Sequence, residues 1–159
     1  MLCLQSLPGV SDQGSSKRWI RTAMADVFSP EKRSAIMSRI KGGNTKPEIL
    51  VRGIVHSLGY RFRLHSDKLP GKPDLVLRRH RKTIFVHGCF WHGHVRCSRS
   101  SLPASNIEFW RKKITGNRAR DRKTIRRLRR LEWKVLVVWQ CETRDVERLT
   151  ERLKNFLGK

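Results

Sequence analysis

The 159-residue chain carries 36 Lys+Arg against 13 Asp+Glu, a formal net charge of +23. Its 38% apolar content, with five Trp and six Phe, is enough for the core of one domain and excludes wholesale disorder, while no apolar run nears the roughly 18 residues that cross a bilayer. A pI near 11.4 points to a polyanion partner, nucleic acid first, and does not by itself separate a binding module from a nuclease.

In chain order, residues 1–25 lack hydrophobic periodicity and are expected to form a disordered basic extension, with Met24 an alternative start of the compact protein and residues 26–159 a single domain. The first ten residues have neither the basic start nor the apolar stretch of a secretory signal. Ser29-Pro30 opens a helix that stops at Gly42-Gly43. A second helix begins at Thr45-Lys46-Pro47-Glu48 and ends at Gly59, with Ile49, Leu50, Ile54 and Leu58 predicted as its core stripe. Tyr60–Leu64 alternates weakly. After the turn Leu69-Pro-Gly-Lys-Pro73, the runs Asp74–Leu77 and Thr83–Val86 read as two strands of an antiparallel hairpin.

Ser105-Asn-Ile-Glu108 has the pattern of a capping box that opens a long helix over about 106–131. Eleven Lys/Arg between 111 and 130 face only Asp121, so that helix is expected to be solvated or to face phosphates. Trp133–Trp139 is predicted as a strongly buried strand and Val146–Leu157 as a terminal helix. The order is that of an α/β domain with a central sheet.

The segment His87-Gly-Cys89-Phe-Trp-His92-Gly-His94-Val-Arg-Cys97, together with Cys141, holds the chain's ligand types. Three thiols and one imidazole make a closed tetrahedral Zn²⁺ site, structural rather than catalytic. Spacing leaves His92 and His94 competing for the fourth position. The remaining histidine would be free for proton transfer near neutral pH. Against this stands the plainer reading of reduced, buried cysteines.

Carboxylates are scarce, so their placement is informative. Asp74, at the start of a strand after a Pro-rich turn, is placed as a nuclease places the ligand of a Mg²⁺ ion on the scissile phosphate. Glu48 sits in the first turn of a helix, where a carboxylate is also favoured by the helix dipole alone.

Met37–Ile40 through Thr45–Glu48, Leu69-Pro-Gly-Lys-Pro-Asp74, Phe85-Val-His-Gly-Cys-Phe-Trp-His92, Phe109-Trp110 and Val138-Trp-Gln-Cys141 stand in order. Together they resemble the very short patch repair (Vsr) DNA mismatch endonucleases, over about residues 25–145. The resemblance implies a restriction-endonuclease-like central mixed β-sheet flanked by helices, with a structural zinc site. It implies a bacterial, cytoplasmic, nucleoid-associated monomer linked to a cytosine-5 DNA methyltransferase and a repair polymerase. The implied activity is Mg²⁺-dependent nicking of duplex DNA 5′ to the thymine of a T:G mismatch, the product of 5-methylcytosine deamination.

Carried over by position, Asp74 would ligate Mg²⁺, His92 would be the general base, Glu48 would position water at the metal and His87 would contact the scissile phosphate. Zinc would be held by Cys89, His94, Cys97 and Cys141. Met37, Phe90, Trp91 and Trp110 would insert beside the mismatch, where unstacking costs least. Two positions depart from the pattern: Val86 stands where a hydroxyl residue is expected, and Glu132 stands for a Gly at a helix end. The rival reading is a zinc-stabilised DNA-binding module without catalysis.

Overall fold

The computed structural model describes residues 43–158. The extension at 1–25, the first helix and Met37 lie outside the described residues. Helix α1 spans Lys46–Ser57. Strands β1 (Arg63–Leu64), β2 (Leu75–Leu77) and β3 (Lys82–His87) follow. Then come the long helix α2 (Ile107–Arg130), strand β4 (Lys134–Trp139) and helix α3 (Val146–Leu157).

The strands form one sheet in the order β1-β2-β3-β4. The β2–β3 hairpin is antiparallel, as expected, with Leu75 opposite Ile84. β4 pairs parallel to β3, Lys82 opposite Lys134 and His87 opposite Trp139. A parallel pair needs a crossover, and α2 supplies it. The expected mixed sheet flanked by helices is what the chain forms. No helix among the described residues is long and apolar enough to cross a membrane.

The core is built where α1 and α3 meet the sheet: Val51, Ile54 and Val55 pack with Leu75, Leu77, Ile84, Val138, Leu149, Leu153 and Leu157. This corrects the stripe on α1. Ile49 is 57% exposed, whereas Val51 and Val55 are fully buried and Leu50 and Leu58 pack at the margin. Both sets of positions have helical spacing, and only the neighbouring elements decide which faces inward.

Three other expectations change. β1 is only two residues long, and both are exposed. β4 is less buried than its composition suggests: it is an edge strand of the described sheet, and of its residues only Val138 is buried. α2 starts at Ile107, after Asn106 in a left-handed conformation (φ 52°), and no side-chain cap hydrogen bond forms there. α2 is also not uniformly solvated. Trp110, Ile114 and Leu128 are buried, Asn117, Asp121 and Thr124 are half-buried on the same stripe, and the basic residues take the rest of the surface.

Candidate active site

α2 lies against the irregular segment 88–104 and the Leu69–Pro73 turn, and two glycines permit this approach. Gly71 (φ 76°) faces the Thr124 side chain so closely that a Cβ would collide with it. A Cβ on Gly93 (φ 59°) would lie 2.6 Å from Ile114 Cγ2. Both positions also need a backbone conformation that only glycine adopts freely. The cleft between these parts has a volume of about 650 Å³ and is lined by Glu48, Asp74, His87, Trp91, His92 and Asp121 among others. Four sequence-selected polar side chains, Glu48, Asp74, His87 and His92, thus meet in one cavity.

Asp74 directly precedes β2, and its Oδ2 accepts a hydrogen bond from the Val86 amide on β3 at 2.7 Å. Burial pushes its carboxyl above the usual range, and the nearby Glu48 charge adds to this, while the Val86 N–H opposes it. Glu48 is buried and heavily engaged. Its oxygens accept from the Asn44 amide (2.9 Å), Thr45 Oγ1 (2.8 Å) and Arg52 Nη2 (2.9 Å). Those bonds pin the start of α1, so Glu48 has a structural duty whatever else it does.

His87 ends β3 and stacks on His92, ring centroids 3.8 Å apart and planes 10° from parallel. Burial, and then the neighbouring His92, lower His87 to about 4, so it is neutral at neutral pH. His92 Nδ1 lies 2.7 Å from Asp121 Oδ2. Burial works against the charge on Asp121, but the hydrogen bond and charge of His92, then His87 and Arg120, outweigh it and hold the carboxyl below its usual range. An ionised carboxylate can only accept, so the neutral His92 ring carries its proton on Nδ1 and leaves Nε2 basic. Sequence reading counted Asp121 only as a lone acid in a basic helix. Its signal was its place on the Trp110–Ile114–Asn117–Asp121–Leu128 stripe, where a polar residue interrupts a buried face.

The second cluster joins Cys89, His94, Cys97 and Cys141, whose ligand atoms all lie within 4.8 Å of one another. His94 Nδ1 is 3.6 Å from Cys89 Sγ and 3.4 Å from Cys141 Sγ. Spacing left His92 and His94 open; here His94 stands with the thiols and His92 faces Asp121. Burial pushes the bare Cys89 thiol up to about 12, so a cation's charge is what would hold it as a thiolate. Three sulfurs and one nitrogen at this separation suit a tetrahedral thiophilic cation. Trp139 joins the two clusters: it stacks on His94 at 4.1 Å and meets His87 edge-on at 5.5 Å.

Beside the cleft Phe90, Trp91 and Trp110 form a T-shaped trio with centroids 5.1–5.9 Å apart. Trp110 is buried, and Phe90 and Trp91 are half-buried. Trp110 packs in this trio and outside the main core. Lys113 Nζ sits 5.5–5.6 Å over Trp91, Phe109 and Trp110, and Asn117 Nδ2 donates to the Trp91 carbonyl at 2.8 Å. α2 therefore organises the aromatic loop and the histidine pair together.

A family model described as DNA mismatch endonuclease Vsr matches residues 25–99. The type II nicking enzyme V.XorIIP of Xanthomonas oryzae pv. oryzae is 49% identical over 134 residues, 84% of this chain and 98% of that protein. The DNA mismatch endonuclease Vsr of Escherichia coli (strain K12) is 43% identical over 139 residues, 84% of this chain and 88% of that protein. Among solved structures, a homing endonuclease I-Bth0305I catalytic domain aligns at TM-score 0.49 and 17% identity, over 71% of this chain and 94% of that one. With a thiol–imidazole cluster beside a cleft that gathers Asp74, His87, His92 and Asp121, and with the Xanthomonas and Escherichia coli enzymes each matching 84% of its length, the chain belongs to the Vsr DNA mismatch endonuclease family and is a DNA endonuclease.

Proposed function

We propose that this endonuclease nicks duplex DNA 5′ to the thymine of a T:G mismatch, with Mg²⁺ at Asp74 and Zn²⁺ at Cys89, His94, Cys97 and Cys141. The observation that carries the reading is the His92–Asp121 pair facing the same cleft as Asp74. Asp74 is a hard oxygen donor with one oxygen fixed by the Val86 amide, which suits Mg²⁺. Bound there, the ion would supply Lewis-acid stabilisation of the charge that develops on the phosphate.

The chain's own groups do the rest. Asp121 fixes the His92 ring, so Nε2 can take the proton as a water oxygen bonds to phosphorus and the bridging P–O bond breaks. His87, neutral and stacked on His92, serves as a hydrogen-bond donor to the scissile phosphate. Glu48 is committed to Asn44, Thr45 and Arg52, so its part in placing water is through the shape it gives the cleft.

Phe90, Trp91 and Trp110 are the groups that would enter the base stack, with Met37 from the N-terminal segment. Insertion costs a few kcal/mol of unstacking, least at a mispair, so it discriminates by itself. The exposed basic face of α2 supplies phosphate contacts that carry no sequence information. The link to a cytosine-5 methyltransferase and a repair polymerase in the bacterial cytoplasm follows from the substrate: a T:G pair of this origin requires prior methylation, and a nick requires resynthesis.

The test is a strand-specific nicking assay on a labelled duplex with a central T:G pair, beside the T:A control, with and without Mg²⁺. Mg²⁺-dependent cleavage of the T strand in the mismatch alone is expected. Equal cleavage of both duplexes would remove mismatch selectivity. Binding without cleavage, unchanged by Asp74→Ala, would leave the zinc-stabilised binding module.

A further inference from the structure

Arg52 and His65 stand beside Asp74 outside the histidine pair. Glu48, His65 and Asp74 bring donor atoms within 4.8 Å of one another, the geometry of a three-ligand cation site. The hydrogen bonds of Arg52 decide otherwise. Arg52 Nη1 donates to Asn44 Oδ1 at 2.6 Å, and Nη2 donates to Glu48 Oε2 at 2.9 Å. Nη2 also lies 3.1 Å from His65 Nε2.

A guanidinium has no acceptor and does not lose its proton in proteins, so His65 Nε2 must be the acceptor. The neutral ring then carries its proton on Nδ1, and Nδ1 faces Asp74 Oδ1 at 3.9 Å. A ring nitrogen that bears a proton has no lone pair for a cation. The separation is long for a hydrogen bond, as such bonds commonly are before substrate tightens the site.

We propose that His65 is a positioning residue for Asp74, held by Arg52 in the tautomer that donates to Oδ1, and not a third metal ligand. This rests on the assignment of Asp74 as the cation-binding carboxylate. With Oδ2 taken by the Val86 amide on one side and Oδ1 faced by His65 on the other, the carboxylate plane is defined from both ends. Outer partners of this kind hold a ligand's orientation and its affinity. His65 itself sits in the left-handed region (φ 43°), and its ring lies against Arg52 of α1. Any non-glycine replacement shares that backbone strain, so comparing two replacements isolates the side chain.

The experiment uses the zinc-loaded full chain without DNA and reads Mn²⁺ binding by electron paramagnetic resonance. His65→Ala is expected to weaken Mn²⁺ binding by about tenfold or more, the scale of lost outer partners. His65→Gln is expected to restore it, because an amide accepts from Arg52 through its oxygen and donates to Asp74 through its nitrogen. In the unaltered protein, ¹⁵N resonances of the His65 ring should report a protonated Nδ1 and an unprotonated Nε2, a readout that needs no variant to fold.

Unchanged affinity in His65→Ala would overturn the proposal. So would His65→Gln as weak as His65→Ala, which would make the ring nitrogen a direct ligand, and so would a protonated Nε2. Asp74→Asn separates the levels. If it binds Mn²⁺ like the unaltered chain, the assignment of Asp74 fails first and His65 with it; if it loses binding while His65→Ala does not, this inference fails alone.

Discussion

Asp121→Asn removes one charge and keeps the side chain's shape. Asp121 Oδ2 and His92 Nδ1 are 2.7 Å apart, both groups half-buried, so the bond is short and partly shielded from water. A hydrogen bond to a charged group contributes about 1.5–3 kcal/mol. At about 1.4 kcal/mol per factor of ten, losing it from the transition state slows the chemical step by about 10- to 150-fold. If the amide turns its NH₂ toward the ring, the proton moves to Nε2, the base is lost and the effect exceeds that range. The assay is single-turnover nicking of a T:G duplex at saturating enzyme, across pH, with DNA affinity measured separately. Affinity should hold, because Asp121 adds no positive charge, while the rate falls and the acid limb of the profile moves. Nicking within about twofold of the unaltered enzyme with an unmoved pH profile would refute the claim that Asp121 fixes the base.

Chelating the cation proposed at Cys89, His94, Cys97 and Cys141 should raise amide exchange across 88–104 and at Trp139 while α1, α3 and the β2–β3 hairpin stay protected, and nicking should stop because His92 lies in the released segment; uniform loss of protection would instead make the cation part of the main core. His87 falls to about 4 in the folded protein from 6.5, so below 6.5 the unfolded chain binds a proton that the folded chain does not. The stability it contributes is therefore full above 6.5 and lost as pH falls toward 4, about 2 kcal/mol between pH 7 and pH 5, and His87→Asn should remove that increment from urea midpoints at the two pH values. Glu132 holds a left-handed φ of 59° after α2, and its ion pair with Arg81 is exposed at 3.5 Å. Glu132→Gly should therefore stabilise by about 1 kcal/mol, roughly 4 °C in Tm, with no change in nicking.

Local chemistry was readable without coordinates. The β2–β3 hairpin follows from two short apolar runs around a basic turn, and α3 runs over Val146–Leu157 as its apolar spacing required. The ligand types of the thiol cluster, the strand-edge place of Asp74 and the oddly apolar Phe90-Trp91 pair in a basic loop are all properties of residue type and spacing. Glu132 stands where the resemblance implies a glycine at a helix end, and its φ of 59° is the left-handed conformation such a glycine would take.

What the tertiary structure decided are choices between equal local options. On α1, Ile49 and Val51 are both apolar at helical spacing, and only the arrival of α3 and the sheet buries Val51 and leaves Ile49 outside. His92 and His94 are two residues apart with the same chemistry; the approach of β4 brings Cys141 to His94, and the approach of α2 brings Asp121 to His92. The Arg52 contacts that set the His65 tautomer likewise join residues on separate elements. Spacing along a chain says which groups could meet, but a ring nitrogen's proton and a carboxylate's charge are set by whatever packs against them, and that contact exists only once the chain has folded.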